Sequence, residues 1–329
     1  MSFKTYHRLA LLLLLAPIAC NNERVEAGNW ALSECDDPTE GDTTNHASSR
    51  GALLGTEFHS LEELKTVIHI QYFRGNRISD SADERNTVVR LSHCSGGTEI
   101  VSTLKSGISQ TDVTRAQEGS VWDKLWLGIN SPYTVINRVD LQRVYLLARR
   151  RGDLFEANDV AFFNLAERMV DNISDYDRAR IHPRHFSEKG YLNTFNHITA
   201  QSFVSTIFSE ALADYMGDAH ELSVMPELVT GRFSQEQLTD TINNPVDNYI
   251  DLVNNEWGRE LGNAIKDKFA IKRVTHWTPE LLADYLNEVQ GYLGWACQLG
   301  FRPFRSDDEE VVRFANKINR VMGKDARWR

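Results

Sequence analysis

Residues 244–261 read NPVDNYIDLVNNEWGREL, and this stretch decides the fold. Asp247, Asp251, Asn255 and Arg259 recur at i, i+4 spacing, so a helix places them along one face. Ile250, Val253, Trp257 and Leu261 form an opposite apolar face that must pack inward. Residues 208–221, FSEALADYMGDAHE, have the same character. Glu210, Asp214 and Asp218 repeat at that spacing, and His220 and Glu221 close the run. Solvation alone does not require such stripes. They predict two packed helices, 196–221 and 245–269, whose polar faces meet in one site.

An antiparallel pairing of the two helices sets Asp218 beside Asp251, Asp214 beside Asn255 and Glu210 beside Arg259. Carboxylates held together either raise a pKa or recruit a cation. Asp218, His220, Glu221 and Asp251 are therefore the candidate catalytic residues. Asn254, Asn255, Arg259, Glu210 and Asp214 orient a substrate or serve the structure, and Arg259 is expected to pair with Glu210 or Asp214. The cofactor is open, with a divalent metal compatible with these side chains. His197 is expected to stand apart. No Gly or Pro interrupts residues 198–216, and an unbroken helix would hold it more than ~30 Å from His220.

Around this pair the chain is ordinary for a globular protein. Its 329 residues are 41% hydrophobic and 25% charged, with a net charge of -10. An acidic chain without a basic stripe excludes a nucleic-acid backbone as principal ligand. The cluster Arg149-Arg150-Arg151 ends a helical run and is read as complementing that helix terminus. Lys4, His7 and Arg8 precede an apolar run, Leu9 to Ala19, too short to span a bilayer. Residues 1–20 therefore read as a signal peptide. The run Ile18-Ala19-Cys20 resembles a bacterial lipoprotein box, although Pro17 stands where Leu is usual; cleavage after Ala27 is the rival. A lipidated Cys20 would make the membrane a partner. Export permits disulfides. Cys35 and Cys94 are the preferred pair, while Cys297 in an apolar helix reads as a buried thiol.

Residues 21–50 read as a polar tether. Residues 51–115 form a small α+β region: a helix capped by Ser60, and strands at 66–73, 87–92 and 99–104, the last two joined through Ser95-Gly96-Gly97. Residues 120–325 form a helical domain, with runs at 121–127, 138–151, 158–172, 196–217 and 245–269, one from Thr278 to Cys297, and one capped by Ser306 through Met322. Val160, Phe163, Leu165, Ala166 and Met169 are expected in its core. His182 and His185 read as surface histidines rather than metal ligands. The fold class is mainly α, α+β overall, with a helical bundle preceded by a small antiparallel sheet.

The combination Phe195-x-His197, Asp218-Ala219-His220-Glu221, then Asp251-Leu252, Asn254-Asn255 and Gly258-Arg259 resembles an uncharacterised helical domain of bacterial surface and toxin-like modular proteins. The resemblance covers residues 190–265. It implies that the two stripes act as one unit and supplies no substrate. The leading expectation is an exported hydrolase acting on an envelope or extracellular substrate. The alternatives are a buried polar network that only fixes helix register, and a binding module with solvated stripes. Nucleophilic Ser or Cys catalysis has no support, because there is no Gly-x-Ser-x-Gly elbow and no Cys–His motif.

Overall fold

The computed structural model describes residues 50–74, 87–241 and 243–323. The expectations for the signal peptide, Cys20, the tether, Cys35 and the 76–84 loop lie outside the described residues. The chain is mainly α, with one small antiparallel sheet, as its patterning predicts. A short helix, α1 (Leu61–Leu64), leads into β1 (Ile68–Arg74), β2 (Thr87–Ser95) and β3 (Thr98–Lys105). The helices α2 (Gln110–Glu118), α3 (Val121–Asn130), α4 (Pro132–Ile136), α5 (Arg138–Ala148) and α6 (Gly152–Phe155) follow. Next come α7 (Phe162–Asn172), α8 (Asp175–Arg178), α9 (Tyr191–Ile207) and α10 (Glu210–Val224). The chain closes with α11 (Gln235–Thr239), α12 (Pro245–Lys268), α13 (Pro279–Cys297) and α14 (Glu309–Met322).

The sheet has strand order β1-β2-β3, antiparallel throughout. Alternating burial along β2 puts Val89 and Leu91 into the core. The β2–β3 turn needs Gly96 and Gly97, whose φ values are 57° and 74°, a left-handed pair that side chains with a Cβ resist.

Helix α12 is the centre of the molecule. Asn244 caps it by accepting from the amide of Asp247, and Pro245 occupies its first turn. Both of its faces are buried, the polar stripe included. Trp257 Nε1 donates to His93 Nδ1 on β2 at 3.0 Å. The Asn254 side chain exchanges both hydrogen bonds with the backbone of Leu53, at 2.8 and 2.9 Å. The sheet region thus shares one core with the bundle, which suits a segment too small to bury its own apolar surface. Helices α9 and α12 run parallel and very close. A Cβ on Gly258 would lie 2.8 Å from Gln201 Cβ, and one on Gly262 would lie 2.5 Å from the Ser202 carbonyl. Glycine at both positions lets the two backbones approach.

Several expectations are corrected here. The helix expected at 196–217 is two helices. It breaks at Phe208 (φ -114°, ψ -86°) and restarts from an extended Ser209, whose hydroxyl accepts from the Leu212 amide. Gly217 lies inside α10, where a Cβ would meet Gln201 Nε2 at 3.0 Å. Phe163 is exposed, and Phe162 takes the core position. Asp308, not Ser306, precedes α14. His185 is buried, with Nε2 3.2 Å from Glu57 and Nδ1 2.7 Å from the Thr56 hydroxyl. Cys297 is a free, buried thiol. Cys94 is disulfide-bonded, and the proposed partner Cys35 lies outside the described residues.

Candidate functional site

The break at Phe208 lets α10 fold back along α9, so three helices converge. Helix α9 contributes Asn193 and His197, the C-terminal half of α10 contributes His220 and Glu221, and α12 contributes Asp251 and Asn255. The expected antiparallel pairing of α10 with α12 exists, but its register is displaced by one helical turn. Arg259 meets Asp214 at 3.2 Å, and Asn263 donates to Glu210 at 2.9 Å. Glu221, rather than Asp218, therefore arrives beside Asp251.

The result is a cluster of His197, Glu221 and Asp251 whose ligating atoms all lie within 4.8 Å of one another. His197 Nε2 is 3.5 Å from Asp251 Oδ2. Its Nδ1 is 2.9 Å from Asn255 Oδ1. The Asn255 amide donates at 3.4 Å to Glu221 Oε1, and Asp251 Oδ1 accepts from Asn193 Nδ2 at 2.9 Å. Glu221 and Asp251 are buried. Burial pushes both carboxyls well above the usual range, the charges of Asp251 and Asp247 adding to it at Glu221 and Asp251 respectively. One turn back on α12, Asp247 is engaged by Lys189 at 3.3 Å.

Hydrogen-bond direction fixes the histidine tautomer once Glu221 is ionised, as a bound cation would make it. An ionised Glu221 only accepts, so the Asn255 Nδ2 faces it and the Asn255 carbonyl faces His197. Nδ1 of His197 must then donate. In the neutral ring Nε2 carries a bare lone pair, pointed at the Asp251 carboxylate. Lone pair against carboxylate is repulsive unless a proton or a cation lies between them. A metal-ligating histidine whose other ring nitrogen is held by a side-chain carbonyl is arranged in this way. Donors ~2.1 Å from a tetrahedral cation sit ~3.4 Å apart, so the cluster needs a modest contraction to close on one. His197 and one or both carboxylates suit a borderline cation such as zinc or manganese.

His220 does not join the cluster with Asp251, contrary to expectation. Its ring packs against that of His197, with centroids 6.4 Å apart, and its Nδ1 donates to Gln110 Oε1 at 3.1 Å. His220 keeps part of its surface in solvent while protein atoms crowd the ring. That crowding, with His197 beside it, pushes its pKa down to about 4. It is neutral near pH 7.

Asp218 is likewise misplaced by the sequence reading. It lines a separate cleft of about 450 Å³ between β3, α10 and α12, together with Lys105, Asp214, Glu256 and Arg259. Burial, reinforced by Asp214, raises its pKa to about 8. Arg259 is buried and pairs with both Glu256 and Asp214. Asn254 is committed to the Leu53 backbone and is thereby a structural residue. His197, expected to stand apart, instead joins the cluster, and Asn193, Lys189 and Glu256 are the residues that sequence reasoning passed over. The signal for His197 was Ser209 followed by Glu210, a capping residue and an acidic first turn. No protein-family model, curated protein or solved structure matches this chain.

Proposed function

We propose that this chain is an exported hydrolase whose His197–Glu221–Asp251 cluster holds a divalent cation, with neutral His220 at the rim as a hydrogen-bonding group. The observation that carries it is the convergence of His197 Nε2, Asp251 and Glu221 ligand atoms in a buried setting, with Asn255 bridging His197 Nδ1 and Glu221. A cation there would activate water or polarise an ester, amide or phosphoryl oxygen. His220, neutral near pH 7, would accept a hydrogen bond from water or substrate at the rim. Asn193 and Asn255 would hold the ligands in orientation. Export is supported by the charged and apolar start of the chain and by the disulfide at Cys94, a bond of oxidising compartments. A lipidated Cys20 would place the enzyme on a membrane facing envelope or extracellular substrates. The likeness to the uncharacterised surface-protein domain fits this proposal, since His197, Glu221, Asp251 and Asn255 all fall within its pattern.

A second reading has its own support. Protons on Glu221 or Asp251 would close the same network without a metal, and both carboxyls are raised. Elemental analysis of the purified protein, followed by melting curves with chelator and with zinc or manganese restored, separates the two. Stoichiometric metal, a melt lowered by chelator, and metal-dependent hydrolysis of an ester, amide or phosphoester panel are expected. A metal-free protein whose melt ignores added cations would establish the proton-bridged network instead.

A further inference from the structure

Helices α3 to α5 leave a large apolar face uncovered. On α3, Val121, Trp122, Leu125, Trp126 and Ile129 are exposed, Val121 and Trp122 by 79% and 77%. Their spacing puts them on one side of the helix, while Leu127 alone faces the core. Helix α4 continues the surface. It packs back at Gly128, where a Cβ would lie 3.6 Å from Val135 Cγ2, and it presents Val135 and Ile136, the latter 78% exposed. Along α5 the exposed stripe is Arg138, Val139, Gln142, Tyr145 and Arg149, with the Arg149 guanidinium 5.0 Å from the Tyr145 ring centroid. A contiguous patch of this kind is rare on a protein that has no use for it.

Charge says what covers it. Arg143, Arg150 and Arg151 are taken up by Asp140, Glu167 and Asp153, which leaves Lys124, Arg138 and Arg149 as the exposed cations of this face against Asp123 alone, a locally basic surface on a chain of net charge -10. Asp140 is moreover taken up by Arg143 and Arg273. We infer that the α3–α5 face docks on an anionic lipid bilayer. Tryptophans and leucines on one side with lysine and arginine beside them are what an interfacial helix needs: the indoles settle at headgroup depth and the cations meet lipid phosphates. A second copy of the chain would set the Lys124, Arg138 and Arg149 cations of one face against those of another. No helix among the described residues is long and apolar enough to cross a membrane, so the contact is a surface one. It would also supply the second attachment that a single lipid chain lacks. The inference stands on this face alone and does not depend on the His197 cluster.

The test uses full-length protein carrying Cys20→Ala, mixed with vesicles of phosphatidylglycerol and phosphatidylethanolamine whose acyl chains are brominated to quench tryptophan. The chain has seven tryptophans, so the comparison is with the same protein carrying Trp122→Phe and Trp126→Phe. These changes keep the face apolar and remove its reporters, which makes the readout independent of any vesicle binding by the N-terminal apolar run. Expected is quenching in the parent, at least halved in the double variant, stronger on anionic than on purely zwitterionic vesicles and weakened by salt. Equal fractional quenching in the two proteins, quenching indifferent to lipid charge, or a dimer in solution that Trp122→Ser with Trp126→Ser dissociates would each overturn it.

Discussion

The rings of His197 and His220 lie 6.4 Å apart between centroids, although an unbroken helix would have kept them on different parts of the molecule. The break at Phe208–Ser209 brings them together, and its cap can be weakened by one atom. Ser209→Ala removes the hydroxyl that accepts from the Leu212 amide and should cost ~1 kcal/mol. A denaturant melt reads the loss. If His220 faces His197 because of that cap, cation affinity should fall in the same variant.

Glu221→Gln and Asp251→Asn keep shape and discard charge. Asn at 251 can still accept from Asn193 through Oδ1. Each variant should fold and melt at or above the temperature of the metal-free parent, because burial already disfavours the charged carboxyls. Each should also lose the stabilisation that zinc or manganese gives the parent. A variant still stabilised to the parent's extent would remove that carboxylate from the ligand set.

Arg259 is a scaffold residue. Replacing it with Leu leaves the buried Glu256 without its partner and strands Asp214 at the cleft wall. Breaking a buried pair from one side typically costs ~3–5 kcal/mol. A midpoint shift much smaller than that, measured by urea unfolding, would show that Glu256 simply takes up a proton.

Close packing of α9 on α12 makes a sharper demand. In Gly262→Ala the new methyl would meet the Ser202 carbonyl at 2.5 Å, so the helices must separate. Overpacking of this kind costs ~1–3 kcal/mol. Separation also draws His197 away from Asp251, so cation binding should weaken along with the melt. Unchanged stability would mean that the two backbones can part without loss.

Asp218 gives a pH signature. Its folded pKa, about 8, lies above the ordinary carboxylate value, so the folded chain holds a proton that the unfolded chain has released. Stability from this group is full below pH ~4 and falls as pH rises toward 8, by at most ~1.4 kcal/mol per pH unit for one proton. His220 acts oppositely: its depressed pKa lowers stability only below about pH 6.5, the unfolded histidine value. Between pH 6.5 and 8 the metal-free melt should therefore drop with pH, with Glu221 and Asp251 contributing in the same sense, and Asp218→Asn should make that drop shallower. A slope unaltered by the substitution would assign it elsewhere.

Cys297 is buried, and its thiol is pushed up to about 12 by burial, with a smaller push from Glu57. A maleimide should label it only after unfolding. Rapid native labelling, followed by peptide mass, would contradict the packing of α13.

Local chemistry wrote much of this fold into the sequence. The i, i+4 stripe of α12, its Asn244-Pro245 start, the Ser60 cap and the Gly96-Gly97 turn each rest on neighbouring residues, and each is present. The pairing of Arg259 with Asp214 was also within reach, because opposite charges on facing stripes leave few choices. Other features depended on contacts between distant segments. Where α10 lies along α12 is set by the packing of Gly217 against Asn255 and Gln201, and by where the chain turns at Phe208. That placement exchanges Asp218 for Glu221 beside Asp251, while the close approach of α9 to Gly258 and Gly262 admits His197 to the cluster. A helix face is determined by periodicity, which a sequence displays. The register between two helices is determined by packing, and only the tertiary structure decided it.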